Sequence, residues 1–114
     1  MIWAEWIQTE EICELTVRGH ADFDQRGRDI VCAAVSALVA ALADYVEDEA
    51  GYDVQTFVSV RPGHAKVRAG GNMCEAFRLV YRGLCRLSRT YPEHVVAVLG
   101  SSKQEYVSSK EETR

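Results

Sequence analysis

Apolar and polar residues alternate from Cys13 to Val17, and the mostly apolar stretch Ile2 to Ile7 precedes Ile12 to Val17 across the polar run Gln8-Thr9-Glu10-Glu11. Period two is the spacing of a half-buried strand, so the two stretches read as a hairpin with Cys13, Leu15 and Val17 on one face and Cys13 in the core. Trp3 and Trp6 have opposite strand parity, and one of them faces away from the core as an interface or peptide-groove residue. After a polar loop the pattern changes. From Asp29 to about Asp48 the chain reads as a helix stopped by Gly51, with Ser36 the one polar side chain between Ile30 and Ala43. A helix this apolar is covered on more than one side, which leaves room for a dimer contact as well as the core. Val54 to Val60 and Ala65 to Ala69 make a second hairpin around Arg61-Pro62-Gly63-His64, where Pro and Gly supply the turn. Asn72 then caps a second helix, Glu75 completes a capping box, and Met73, Phe77, Val80, Leu84 and Leu87 form its apolar stripe. Tyr91-Pro92 ends that helix, and Val95 to Leu99 is a last short strand.

The order ββαββαβ predicts an α+β two-layer sandwich with two helices packed on one mixed sheet. With 114 residues there is room for one domain, 1–100, followed by a polar and charged tail, 101–114, expected to be mobile. A net charge of -4 argues against a general nucleic-acid binder. Met1 to Ile7 lacks the charged start of a signal peptide, and the uncharged run Ile30 to Ala43 is too short to span a bilayer. The 4 cysteines show no CxxC pair and no zinc-ligand spacing with His20, His64 or His94. Free thiols in a reducing cytoplasm, with no metal site, are the expectation.

Candidate chemistry gathers at the start of the first helix. Asp29 as N-cap puts Ile30, Val31 and Cys32 at the first three helical positions. There the unpaired N–H groups and the helix dipole favour a thiolate, and the same N–H groups suit an oxyanion on a carbonyl attacked by sulfur. His20, in Gly19-His20-Ala21 at the end of the second strand, is placed to act as a general base. Gly27 lets the chain turn into the helix or approach a substrate. The loop from Ala21 to Arg28 is polar with few anchors and is expected to close over bound peptide. Asp22 and Asp24 favour a basic substrate segment or simply solvate that loop. Asp29 either caps the helix or orients His20. Ser36, one turn after Cys32, reaches the thiol or substrate, or bonds back to the Cys32 carbonyl. The competing reading of Cys32 is a small buried hydrophobe. An internal echo, Val60-Arg61-Pro62-Gly63-His64-Ala65, makes His64 and Cys74 a rival pair. The strand between them runs about six residues, roughly 20 Å at ~3.3 Å each, and holds them apart.

The segment Gly19-His20-Ala21 through Gly27-Arg28-Asp29-Ile30-Val31-Cys32-Ala33-Ala34-Val35-Ser36-Ala37-Leu38 resembles the signature of the ribosomal-processing cysteine protease family Prp. The resemblance implies a homodimeric cysteine endopeptidase, without cofactor, that removes the N-terminal extension of the twenty-seventh large-subunit ribosomal protein after a phenylalanine. It makes Cys32 the nucleophile and His20 the base, with Gly19, Asp29 and Ser36 at the other signature positions, and it implies the same ββαββαβ order. The implied partners are the ribosomal-protein precursor and a second copy, with no membrane and no direct nucleic-acid binding. One departure is Asp22-Phe23-Asp24, where the family often carries small or aromatic residues. Arg78, Arg82, Arg86 and Arg89 form a basic stripe on the second helix, read as a solvated face and otherwise open to ribosomal RNA or an acidic partner. The alternative class of function is a non-catalytic dimeric module that binds a ribosomal protein or RNA, with Cys32 merely packed. Thiol reactivity separates the two.

Overall fold

The structure, a computed structural model, describes residues 1–25, 28–51 and 53–100. Gly27 and the tail 101–114, with the expectations attached to them, lie outside the described residues. Strand β1 (Ile2–Gln8) pairs antiparallel with β2 (Ile12–Gly19). Thr9 closes their turn, its hydroxyl oxygen accepting from the N–H groups of Glu11 and Ile12 at 3.1 Å each. Helix α1 (Ile30–Ala50) follows, then β3 (Phe57–Arg61) and β4 (His64–Gly70), helix α2 (Cys74–Thr90) and β5 (Val95–Leu99). The sheet order is β3-β4-β2-β1-β5, with β5 parallel to β1 and the other pairs antiparallel. This is the expected two-layer α+β sandwich on a mixed sheet.

Register explains the core. Ala4, Val17 and Ala65 stand side by side across three strands, as do Leu15 and Val67, and all are buried. Their neighbours Trp3, Arg18 and His64 point to the opposite, uncovered face, where the Arg18 guanidinium lies 6.0 Å from the Trp3 ring centre. Trp6 takes the core side and packs 5.2 Å from the Tyr81 ring. Helix α1 covers β3 and β4 with Val31, Val35, Val39, Leu42, Ala43 and Val46. By length and composition alone α1 could cross a membrane, yet this stripe is packed against the sheet and Asp44, Glu47, Asp48 and Glu49 occupy its last turns. Helix α2 lies over β1, β2 and β5 and buries Phe77, Val80 and Leu84, with Leu87 partly covered. Arg78, Arg82, Arg86 and Arg89 are exposed along its other side.

Three expectations are corrected. The second hairpin begins at Phe57 rather than Val54, which is 95% exposed. Asp53 causes this, because its carboxylate accepts from the Gln55 N–H at 2.9 Å and folds residues 53–56 into a turn. Asn72 does not cap α2. The chain enters that helix through a 3-10 turn, Gly71–Met73, with no side-chain cap at Met73. Finally, the thiols are not all free: Cys13 and Cys74 form a disulfide, with Cα atoms 5.8 Å apart, leaving Cys32 and Cys85 unpaired. Cys13 stands opposite Ala69 at the end of β4, so the chain that leaves β4 reaches Cys13 within one short turn. The bridge, not a capping box, pins the start of α2.

Candidate active site

The base of the site is set by two glycines. Gly19 ends β2 with φ +97°, a conformation that favours glycine, and its N–H donates to the Gly63 carbonyl at 2.9 Å. Gly63, at φ +80° in the β3–β4 turn, brings bare backbone against His20, the residue after Gly19; a Cβ at Gly63 would lie 2.9 Å from Nε2 of the imidazole. The His20 ring therefore leans on the second hairpin. Its carbonyl accepts from the Met1 amino group.

Asp29 builds the other wall. Its Oδ1 accepts from the Cys32 N–H at 2.9 Å, and its Oδ2 accepts from Phe23 at 2.9 Å and Asp24 at 3.3 Å. Partial burial pushes this carboxyl up, but the N–H groups of Cys32, Phe23, Asp24 and Val31 together outweigh it and hold the group below the usual carboxylate range. Asp29 is the helix cap, and among the described residues no hydrogen bond or ion pair joins it to His20. The cap also changes the expected chemistry, because the Cys32 N–H is already bonded to a carboxylate and is not an open donor for an oxyanion.

The loop after His20 is better anchored than its composition suggests. Ala21 is 1% exposed, Phe23 packs on Tyr91 and His94, and Asp29 gathers the backbone of Phe23 and Asp24. These contacts are all distant in sequence or run through a cap, which is why polarity alone hid them.

His20 and Cys32 line one groove of about 850 Å³. Gly19, Asp29 and Ser36 line it as well, with Asp22, Asp24 and Arg28 along the loop side. Cys32 is partly buried against the core, and Ser36 and His20 are exposed. No hydrogen bond joins His20 to Cys32 among the described residues. From the second hairpin, Arg61, Pro62, Gly63 and His64 complete the wall. Sequence reasoning had set His64 aside with Cys74; the two are indeed apart, since Cys74 is tied to Cys13, but His64 belongs to the groove of the other pair. The echo of Gly-His was the available signal, and only the pairing of Arg18 with His64 gives it meaning. Among the described residues no group of three or more His, Cys, Asp or Glu side chains is placed to hold a metal ion.

Comparison with known proteins places this arrangement. The sequence profile of the cysteine protease Prp family matches residues 1–96. The ribosomal processing cysteine protease Prp of Mycoplasma genitalium is 31% identical over 85 residues, which is 72% of this chain and 83% of that protein. Among solved structures, SMU.848 from Streptococcus mutans superposes with a TM-score of 0.68 at 28% identity, covering 90% of this chain and 96% of that one. The essential ribosomal processing protease Prp from Staphylococcus aureus, in complex with a covalently linked product peptide, gives a TM-score of 0.71 at 18% identity, covering 88% and 100%. That last likeness is one of fold.

Proposed function

Since this chain belongs to the cysteine protease Prp family, we propose that it is the endopeptidase that removes the N-terminal extension of the twenty-seventh large-subunit ribosomal protein, using Cys32 and His20. The observation that carries the reading is the shared groove: an imidazole from just past the end of β2 and a thiol from the first turn of α1 line one cavity of about 850 Å³. The curated relative is a ribosomal processing protease, which supplies the substrate class.

The steps follow from the groups present. His20 takes the proton of the Cys32 thiol, and the sulfur attacks the scissile carbonyl. Collapse of the tetrahedral intermediate breaks the C–N bond, His20 returns the proton to the leaving amine, and a thioester remains. Water, with His20 again as base, hydrolyses it to the carboxylate and the free thiol. Because Asp29 holds the Cys32 N–H, the oxyanion draws on other donors lining the groove, such as Ser36 and Arg28. Asp22 and Asp24 beside the groove suit a basic stretch of the extension. The protein works in the cytoplasm as a homodimer, a state supported by the exposed apolar positions Ala37, Ala41 and Tyr45 on α1, which lie outside the groove.

The test is cleavage of the extended ribosomal protein, read by mass, with wild type, Cys32→Ala and His20→Ala. Products from the wild type alone are expected. If Cys32→Ala cleaves as well, the nucleophile is another group. If the wild type binds the precursor without cutting it, the protein is a binding module.

A further inference from the structure

Ala21, next to His20, is buried in a segment whose other described residues are exposed. Its carbonyl meets Nδ1 of His94 at 2.9 Å, across 73 positions of sequence. A carbonyl oxygen can only accept, so the His94 ring carries its proton on Nδ1. His94 is itself fixed on both sides through its backbone: its N–H donates to the Tyr91 carbonyl at 2.9 Å, and its carbonyl accepts from the Ile2 N–H at 2.8 Å. The bond to Ala21 is therefore anchored in the corner between α2 and β5, where Tyr91 packs against the core and Val95 belongs to it. Phe23 adds a second contact, its ring standing edge-on to both Tyr91 and His94 with centres 5.3 Å apart in each case. The steps of cleavage use none of these groups.

We propose that His94 is a positioning residue for the base: by holding the Ala21 carbonyl it fixes the peptide that follows His20, while Gly63 bounds the ring from the other side. The inference rests on the reading of His20 as base. His20 is exposed, and among the described residues no hydrogen bond fixes its ring, so its direction is set by the backbone on either side and by the contact with Gly63. Gly19 is held through Gly63, and Ala21 is held through His94. Phe23, itself packed on Tyr91, keeps the His94 ring in the plane that aims Nδ1 at the carbonyl. Without the donor, the Ala21 peptide turns and the imidazole spends less time directed at the sulfur, which lowers turnover rather than peptide binding.

Two substitutions separate the donor from the ring. The side-chain amide nitrogen of asparagine lies as many bonds from the backbone as Nδ1 of histidine, so His94→Asn keeps the donor and removes the ring. His94→Phe keeps an aromatic ring for Phe23 and removes the donor. Each is compared with wild type, His20→Ala and the His20→Ala/His94→Phe double variant for kcat and KM on a fluorogenic peptide spanning the cleavage point, thermal midpoint, and the pH profile of Cys32 alkylation by iodoacetamide. His94→Phe is expected to lose about tenfold or more in kcat with KM within about twofold and an altered alkylation profile, while His94→Asn stays within about threefold of wild type. In the His20→Ala background the His94→Phe effect on alkylation disappears. Should His94→Phe not fold, His94→Gln, whose amide lies one bond further out, replaces it with the same expected loss. The proposal is overturned if His94→Asn is the slower variant, if His94→Phe matches wild type, or if both losses merely follow the thermal midpoint. Full activity in His20→Ala would instead remove the base assignment on which the proposal stands.

Discussion

The imidazole of His20 rests on Gly63, a residue 43 positions away in another hairpin, so closely that a Cβ there would come within 2.9 Å of Nε2. Gly63 also has φ +80°, in the region where an L side chain costs about 1–2 kcal/mol. Gly63→Ala therefore strains the turn and pushes the ring aside at once. Cleavage should fall by at least about tenfold in kcat/KM, while the thermal midpoint drops only a few degrees. Steady-state kinetics beside a melting curve check this, and an unchanged kcat/KM would show that the ring does not need this support.

Asp29 links the loop to the helix, and its carboxyl is held below the usual range by backbone N–H groups. A group whose folded pKa is depressed stabilises the fold above its unfolded pKa, and that stabilisation is lost as pH falls through the folded value. The difference in urea midpoint between wild type and Asp29→Asn should therefore be largest at neutral pH and shrink below about pH 4. Asparagine caps helices too, so the neutral-pH loss is modest and the variant still folds. A difference independent of pH would mean that the charge of Asp29 contributes nothing.

The Cys13–Cys74 bridge closes a separation of 61 residues. By the chain-entropy estimate such a loop contributes about 4 kcal/mol, a figure that unfolded-state structure can reduce. Thiol titration of the denatured, unreduced protein should find two thiols rather than four, matching Cys32 and Cys85. Reduction should lower the melting midpoint without removing Cys32 from reaction, since the bridge lies at the far end of β2 from His20. Four titratable thiols in the purified native protein would contradict the bridge.

Phe77 is fully buried on α2, over the sheet. Phe77→Ala removes a whole ring from the core and should cost about 3–5 kcal/mol of unfolding free energy. Chemical denaturation with an unchanged slope and a lower midpoint is the expected outcome. A loss under about 1 kcal/mol would mean that the core refills the space.

The elements themselves were legible along the chain because they follow local periodicity. Alternation set β2, a short apolar run before a polar turn set β1, the apolar stripe set α2, and Asp29 announced the start of α1 through a cap that works within three residues. The segment from Gly19 to Ser36 carried the candidate site because a strand end, a loop and a helix start are contiguous in sequence. Where local signals competed, the sequence misled: Asn72 and Glu75 look like a capping box, but a covalent bond from Cys74 to another strand decided how α2 begins. Every feature that only the tertiary structure decided depends on register across the sheet. The pairing of Arg18 with His64 brings Gly63 under His20, the pairing of Cys13 with Ala69 delivers Cys74, and the parallel pairing of Ile2 with Val95 carries His94 to the carbonyl of Ala21. Sequence fixes a side chain's spacing only to neighbours a few residues away. Hydrogen bonding between distant strands fixes the rest, and a shift of one residue in any of these registers would turn the same side chains to the opposite face.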